Sequence, residues 1–489
     1  MPTEKDTPIV MKLEQNRSIM NERIGEGESF DVGFRKLNIL DREVNIYYVT
    51  GLCESAVIVN ILRQLFELNN EGTREKKSAF EHIYNNLAHQ QVDVEDKIEK
   101  CITQMLSGLI VIFIEGEAEA LIVDVRAYPG RSPDEPDTEK VIRGSRDGYT
   151  ENIIENTALT RRRIRDERLR HELLQIGERS KTDICISYIK GIADPGLVDV
   201  LKEELKKIDI DGLTMADKAV EEFLVKQGAN PFPLVRYTER PDIAAAHLLE
   251  GHVLVMVDTS PSMIITPTTY FHHLQHAEEY RQSPAVGTFV RWIRFFGVFA
   301  SVFLLPLWML FVVQPDLLPE TLDFIGPNEE SNIPIIVQIL LADLGLEMLR
   351  IAAIHTPTPL ATAMGLIAAV LIGQIAIDVG MFVPEVILYV AISAIGSYCT
   401  PSYELSIANK MSRLMLIILA ALFGLNGFVV GSTLYILLLT RTKSLNTPYM
   451  WPLLPFNGKA LLYILLRMSV PIEKVRPSIV HPQNNRRQR

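Results

Sequence analysis

The 489-residue chain carries 49 Lys+Arg against 60 Asp+Glu, a formal charge of −11, and 47% of it is apolar. The excess of acid lies in residues 1–290, with 35 basic and 49 acidic side chains against 14 and 11 in residues 291–489, and so acidic a front half argues against a nucleic-acid binder. Cys53, Cys101, Cys185 and Cys399 are scattered without a C-x-x-C pair, which fits buried reduced thiols rather than a disulfide framework.

Residues 1–35 are polar, show no apolar run behind a basic start, and are expected to be only partly ordered. NIYYVTGL (residues 45–52) reads as a strand leading to an apolar helix over 56–68. Residues 107–114 and 118–128 are two β-rich runs separated by Glu115-Gly116-Glu117, the length and glycine content of a hairpin loop. The stretch PGRSPDEPD (residues 129–137) continues neither strand nor helix and closes a first α/β subdomain, residues 36–137. A second, residues 138–290, alternates elements. It has a helix over 151–174, a strand at 183–189, a helix over 195–207 opened by Asp194-Pro195, a further helix, a strand at 234–237, a helix over 241–250 and a strand at 252–257.

At residue 295 the character changes. Residues 295–313 hold no charge over about one bilayer thickness of helix, and uncharged runs follow at 351–377, 386–403 and 414–440. The expected fold is an α/β N-terminal region of two subdomains plus an all-α multi-span membrane domain, residues 291–446, with a Pro-rich and basic tail, residues 447–489. Arg291 and Arg294 precede the first run, and the loop 314–332 holds five acids without a Lys or Arg, which puts the N-terminal region in the cytosol by the positive-inside rule. Residues 333–350 either cross the bilayer or lie at its surface, giving five or four crossings. A reversal at Gly424-Leu425-Asn426-Gly427 would return the basic tail to the cytosol.

Asp343, Glu347 and Arg350 fall within about 60° of one helical face. With Gln338 and the pair Gln374 and Asp378, they are either pore or path residues or internally paired structural groups. Gly427 and Gly431 make a G-x-x-x-G step suited to close helix packing. RRRIRDERLR (residues 161–170) reads as a solvated or subunit-contacting helix, or as one whose Arg161, Arg162, Arg163 and Arg165 meet anionic lipid headgroups. The D-x-S-x-S stretch at Asp258, Ser260 and Ser262 has the form of a metal-site signature, but no partner loops are identifiable, so a strand-end turn is expected. His272, His273 and His276 place an i, i+4 pair on an expected helix without an H-E-x-x-H motif. There is no P-loop, G-x-G-x-x-G or nucleophile elbow; no enzymatic activity, metal or cofactor is expected.

Longer blocks are more specific. GYTENIIENTALTRRRIRDERL (148–169), GERSKTDICISYIKGIADPGLVDVLKEELKKIDIDG (177–212), NPFPLVRYTERPDIAAAHLLEGHVLVMVDTSP (230–261), TPSYELSIANKMSRL (400–414) and PYMWPLLPFNG (448–458) together resemble the A subunits of the GerA family of bacterial spore germination proteins. The resemblance implies a multi-pass protein of the spore inner membrane with a cytosolic N-terminal region and no catalytic residue. It implies an oligomeric ion channel releasing cations during germination; the rival reading of the same helices is a non-conducting scaffold that anchors the N-terminal region and recruits germination partners. The implied partners are copies of itself, other germination membrane proteins and membrane lipid, and Asp258 and Ser260 become structural.

Overall fold

In the computed structural model the described residues are 7–71, 79–129, 139, 141–327, 332–356 and 358–487. They cluster into two compact units, one of Met1–Lys226, Val235–Pro267 and Val470–Arg489, the other of Gln227–Leu234 and Thr268–Ser469. Residues 268–290, expected to close the second α/β subdomain, therefore group with the helices, and the expected tail divides at residue 470.

The first unit contains two antiparallel five-stranded sheets. The first comprises β1 (Val32–Ile39), β2 (Arg42–Val49), β3 (Val92–Glu95), β4 (Ile110–Ile114) and β5 (Ala120–Val123) in the order β1-β2-β4-β5-β3, with helices α1 (Leu13–Ile24), α2 (Ser55–Glu71), α3 (Ala79–Asn86) and α4 (Ile98–Met105). Period-two alternation sends Val111 and Phe113 to a core shared with α1 and α4, and Ile110, Ile112 and Ile114 to one shared with α2 and α3. Covered on both faces, β4 reads as an unbroken apolar run.

The second sheet comprises β6 (Leu169–Ile176), β7 (Thr182–Ile189), β8 (Arg236–Thr238), β9 (Val253–Val257) and β10 (Met263–Thr266) in the order β6-β7-β9-β10-β8, with helices α5 (Ile153–Arg163), α6 (Pro195–Lys206), α7 (Ala216–Val225) and α8 (Pro241–Glu250). Element order, strand order and register all repeat. Ile46 opposes Ile112 in the first sheet as Ile186 opposes Val255 in the second. Residues 108–123 and 251–266 align without a gap (GLIVIFIEGEAEALIV, GHVLVMVDTSPSMIIT), and Gly51 and Gly191 take the same left-handed turn after β2 and β7, with φ of 84° and 81°. The unit is a tandem structural duplication.

Two expectations are corrected here. Residues 7–35 are not a loose polar lead: α1 buries Leu13, Met20 and Ile24, and β1 begins at Val32. The helix expected over 151–174 ends at Arg163, because pairing Leu169 with Ile189 through Ile176 with Thr182 makes residues 169–176 an edge strand despite their helical spacing. The PGRSPDEPD loop lies, from residue 130, outside the described residues.

The second unit is helical: α9 (Ala277–Arg281), α10 (Pro284–Val313), α11 (Ile335–His355), α12 (Thr358–Ala368), a π-helical stretch Ala369–Ile375 leading to α13 (Ala376–Asp378), then α14 (Pro384–Tyr398), α15 (Tyr403–Arg441) and α16 (Gly458–Leu465). Among the described residues, α10 and α15 are long and apolar enough to cross a bilayer. α15 is folded back on itself. Tyr435 Oη lies 3.3 Å from Asn409 Oδ1, 26 positions away, where a straight helix would part them by about 39 Å. The bend is Gly424, with φ 59° and ψ −137°, a region open in practice only to glycine, and Gln314 at the end of α10 accepts from Leu425 N at 2.9 Å.

Contacts give each leg a direction. α14 runs against α10, with Gly396 at Gly297 and the Tyr389 ring centred 4.8 Å from that of Trp308. The first arm of α15 runs with α10, since Arg413 meets Ser301 and Leu425 meets Gln314, and its second arm runs back. α11 runs against that first arm and alongside α14, so residues 358–378 must climb back between them. The described residues thus trace six alternating legs.

Candidate functional site

A charged cluster sits within the helical unit. α11 presents Asp343, Glu347 and Arg350 on one face, and the first arm of α15 presents Lys410 and Arg413, three positions apart. Arg413 Nη2 donates to Asp343 Oδ1 at 2.6 Å and Nη1 to the Ser301 carbonyl of α10 at 3.0 Å. Lys410 Nζ donates to Glu347 Oε2 at 2.8 Å and to the Asp343 carbonyl at 3.2 Å. Arg350 pairs with Glu347 and stands 5.0 Å over the Tyr403 ring.

The cluster is graded from inside to outside. The Asp343 and Arg413 side chains are 3% and 1% exposed, whereas Glu347, Arg350 and Lys410 retain 22%, 15% and 14%. The inner pair is incompletely satisfied: Asp343 Oδ2 and Arg413 Nε make no hydrogen bond, and Lys410 Nζ stands 3.5 Å from that oxygen. Two acids face three bases, so charge is nearly balanced where an isolated ion would be costly.

The other residues singled out from the sequence are placed as follows. Gln338, fully buried, donates to Ile333 O at 2.8 Å and accepts from Val383 N at 2.9 Å, holding the start of α14 to that of α11. Gln374 and Asp378 are exposed on the climbing leg and are not drawn into the cluster. Gly427 and Gly431 lie where the second arm of α15 closes on Leu416 and Leu419 of the first. Lys410 and Arg413 were not foreseen as site residues. The signal was present, since a face bearing Asp343 and Glu347 inside an apolar unit needs counter-charges, and K-x-x-R opens the apolar run 414–440.

The arginine-rich stretch serves the first unit itself. Arg161 is 1% exposed and cannot reach lipid or another subunit: Nε donates to Asp31 Oδ2 at 2.9 Å and Nη2 to Asp31 Oδ1 at 3.1 Å, with further bonds to Ser29 Oγ and to the Leu169 and Asp166 carbonyls. Burial alone would raise the Asp31 carboxyl, but the Arg161 guanidinium outweighs it and the group is held down to about 2. Burial lowers neighbouring His171 to about 4; its Nδ1 lies 2.7 Å from Ser187 Oγ. Arg162, Arg163 and Arg165 are exposed yet engaged, with the Tyr128 ring, with Asp147 and with Ser107 Oγ respectively.

Asp258 Oδ1 accepts from Ile153 N at 3.2 Å at the start of α5, and Ser260 Oγ donates to Asp217 Oδ1 at 3.0 Å. The expected histidine helix is absent. His272 and His273 sit in a buried 3-10 turn, while His276 caps α9 by accepting from Glu278 N at 3.2 Å.

The family model for the Bacillus/Clostridium GerA spore germination protein matches residues 18–479. The chain is 60% identical to stage V sporulation protein AF of Bacillus subtilis (strain 168), covering 100% of this chain and 99% of that protein. It is 30% identical to the uncharacterized membrane protein YfkQ of the same organism, over 95% and 90% of the two. Among solved structures it is similar to the N-terminal domain of the A subunit of the Bacillus megaterium spore germinant receptor GerK3, at 27% identity and a TM-score of 0.44, covering 55% of this chain and 99% of that one.

Proposed function

The chain belongs to the GerA family of bacterial spore germination proteins, and from that membership we propose that it is a membrane subunit of a germination complex, an oligomeric ion channel that releases cations during germination. The observation that carries this reading is the graded charge cluster, an inner ion pair with a partly open outer end inside an otherwise apolar helical unit. Ionisable side chains at such depth face one another or a wet path, and Glu347, Arg350 and Lys410 are placed to do both.

The site is the spore inner membrane, with the first unit in the cytosol. Residues up to 267 and from 470 group with the first unit, so a first unit wholly in the cytosol calls for an even number of crossings. The six alternating legs are compatible with that condition, and we read them as the membrane domain. The partners are further copies of the chain, other germination membrane proteins and lipid.

Cation efflux from liposomes holding the purified full-length protein tests the channel. Glu347→Ala is expected to change efflux several-fold while the oligomer survives; unaltered efflux from intact assemblies removes Glu347 from the path. A non-conducting scaffold is the second reading, favoured by Gln338, which spends both its amide oxygen and its amide nitrogen within the helical unit. Wild-type liposomes without efflux would establish it.

A further inference from the structure

We propose that residues 447–469, with the first turns of α10, form an apron that lies in the anionic headgroup layer of the bilayer at the N-terminal end of α10. The inference rests on the membrane reading above. α16 is eight residues long, about 12 Å, too short to cross a bilayer but suited to lie in its surface. Its start is capped by Asn457, whose side chain accepts from Ala460 N at 3.1 Å.

Its end is pinned to α10. Arg291 Nη1 donates to the Tyr463 and Ile464 carbonyls, both at 2.9 Å, and Trp292 Nε1 donates to the Leu465 carbonyl at 2.9 Å. These are orphan acceptors of a helix C-terminus, where a cation is favoured. Arg291 is itself fixed by Glu279 at 2.8 Å, so the orientation of α16 is set from within the protein.

That orientation turns apolar side chains outward. Phe456 is 73% exposed, and Leu454 and Leu462 are 50% exposed, beside Trp292 and Phe296 on α10. The face continues directly into the apolar surface of α10, and aromatic side chains of this kind favour the boundary between headgroups and acyl chains. The charge selects the occupant. Residues 441–469 hold Arg441, Lys443, Lys459 and Arg467 and no Asp or Glu, in a chain whose net charge is −11. An exposed apolar face in a basic stretch free of acids, at the foot of a crossing helix, matches an anionic leaflet.

Spin-label accessibility of the full-length protein tests the apron. Nitroxides are placed at Phe456→Cys, at Phe299→Cys midway along α10 as a membrane control, and at Glu203→Cys on α6 as a water control. All carry Cys399→Ser, since Cys53, Cys101 and Cys185 are buried. In bilayers containing phosphatidylglycerol, the label at 456 is expected to collide with a water-soluble nickel chelate several-fold less often than the label at 203, and to collide readily with oxygen. Lys443→Gln with Lys459→Gln, or a purely zwitterionic bilayer, is expected to return much of that nickel accessibility. A label at 456 as wet as that at 203, with 299 still deep, would overturn the apron and leave the membrane reading intact. Labels at 456 and 299 both as wet as 203 would overturn both. Shielding of 456 from nickel and oxygen alike would show a protein partner and overturn the lipid assignment, as would equal depth in both bilayers for its charge-driven part.

Discussion

Two arginine–aspartate pairs are almost wholly buried, Arg161–Asp31 in the first unit and Arg413–Asp343 in the helical unit, and they are finished differently. Arg161 meets both oxygens of Asp31, and its remaining donors go to Ser29 Oγ and two carbonyls. Arg413 meets one oxygen of Asp343 and leaves its own Nε and the second oxygen without a hydrogen bond, with Lys410 within reach. A fully satisfied pair has one geometry and works as a fastener joining the two repeats of its unit. An incompletely satisfied pair beside a third charge can exchange partners, as a conduction or gating element requires.

The largest expected effect is on the closed pair. Arg161→Ala strands Asp31 in the interior and should cost about 3–5 kcal/mol, measured as the denaturant midpoint of the first unit in the full-length protein. A loss below about 1 kcal/mol would show that water or another cation reaches Asp31, and the contrast between the pairs would collapse.

Acid should open the same fastener. The folded-state value for Asp31 lies below its unfolded value, so its contribution, roughly 2 kcal/mol, is present above about pH 4 and lost as pH falls through about 2. His171 is likewise lowered, from 6.5 to about 4, so its share is present above pH 6.5 and is lost as pH falls towards 4. Thermal midpoints between pH 7 and pH 2 should therefore drop in two stages, and His171→Gln should reduce the upper one, to which His247 and His252, lowered by the same burial, also contribute.

A smaller effect is expected at the open pair. Arg413→Met should cost only about 1–2 kcal/mol, because Lys410 can take over Asp343, and Lys410→Met in addition should cost more than the two single losses summed. Additive losses would mean that Lys410 does not substitute, and the two pairs would then be alike. A comparable cost, about 1–3 kcal/mol, is expected of Gly424→Ala through its backbone at φ 59° and ψ −137° and a Cβ 2.8 Å from the Gln314 side chain, loosening the hairpin whose first arm carries Arg413. A crosslink between cysteines at 409 and 435 reads the hairpin directly and should form less readily in the variant.

Much of the first unit was legible. The apolar runs at β4 and β9, the Glu115-Gly116-Glu117 loop and the Asp194-Pro195 helix start all lie where periodicity and capping put them. The duplication was also written in the chain, in YYVTGL against SYIKGI and in the equal lengths of 108–123 and 251–266, but it becomes plain only once the two strand orders are compared. β6 was missed because LRHELLQI has a helix former's composition and only pairing with β7 makes it a strand. Arg161, read as surface charge in a basic stretch, is an interior residue because its partner Asp31 is 130 positions away.

The amino-acid sequence by itself determined where the apolar legs lie, which faces of the strands are buried, and the family to which the blocks from 148 to 458 point, since each of these depends on neighbours a few residues apart. Tertiary structure selected the reversal that Gly424-Leu425-Asn426-Gly427 had left as one reading of α15, and it alone decided that Lys410 and Arg413 answer Asp343 and Glu347 and that the final residues 470–487 belong with the first unit. Charge pairing and chain reversal join positions far apart in the chain, and local periodicity contains no term for such distances.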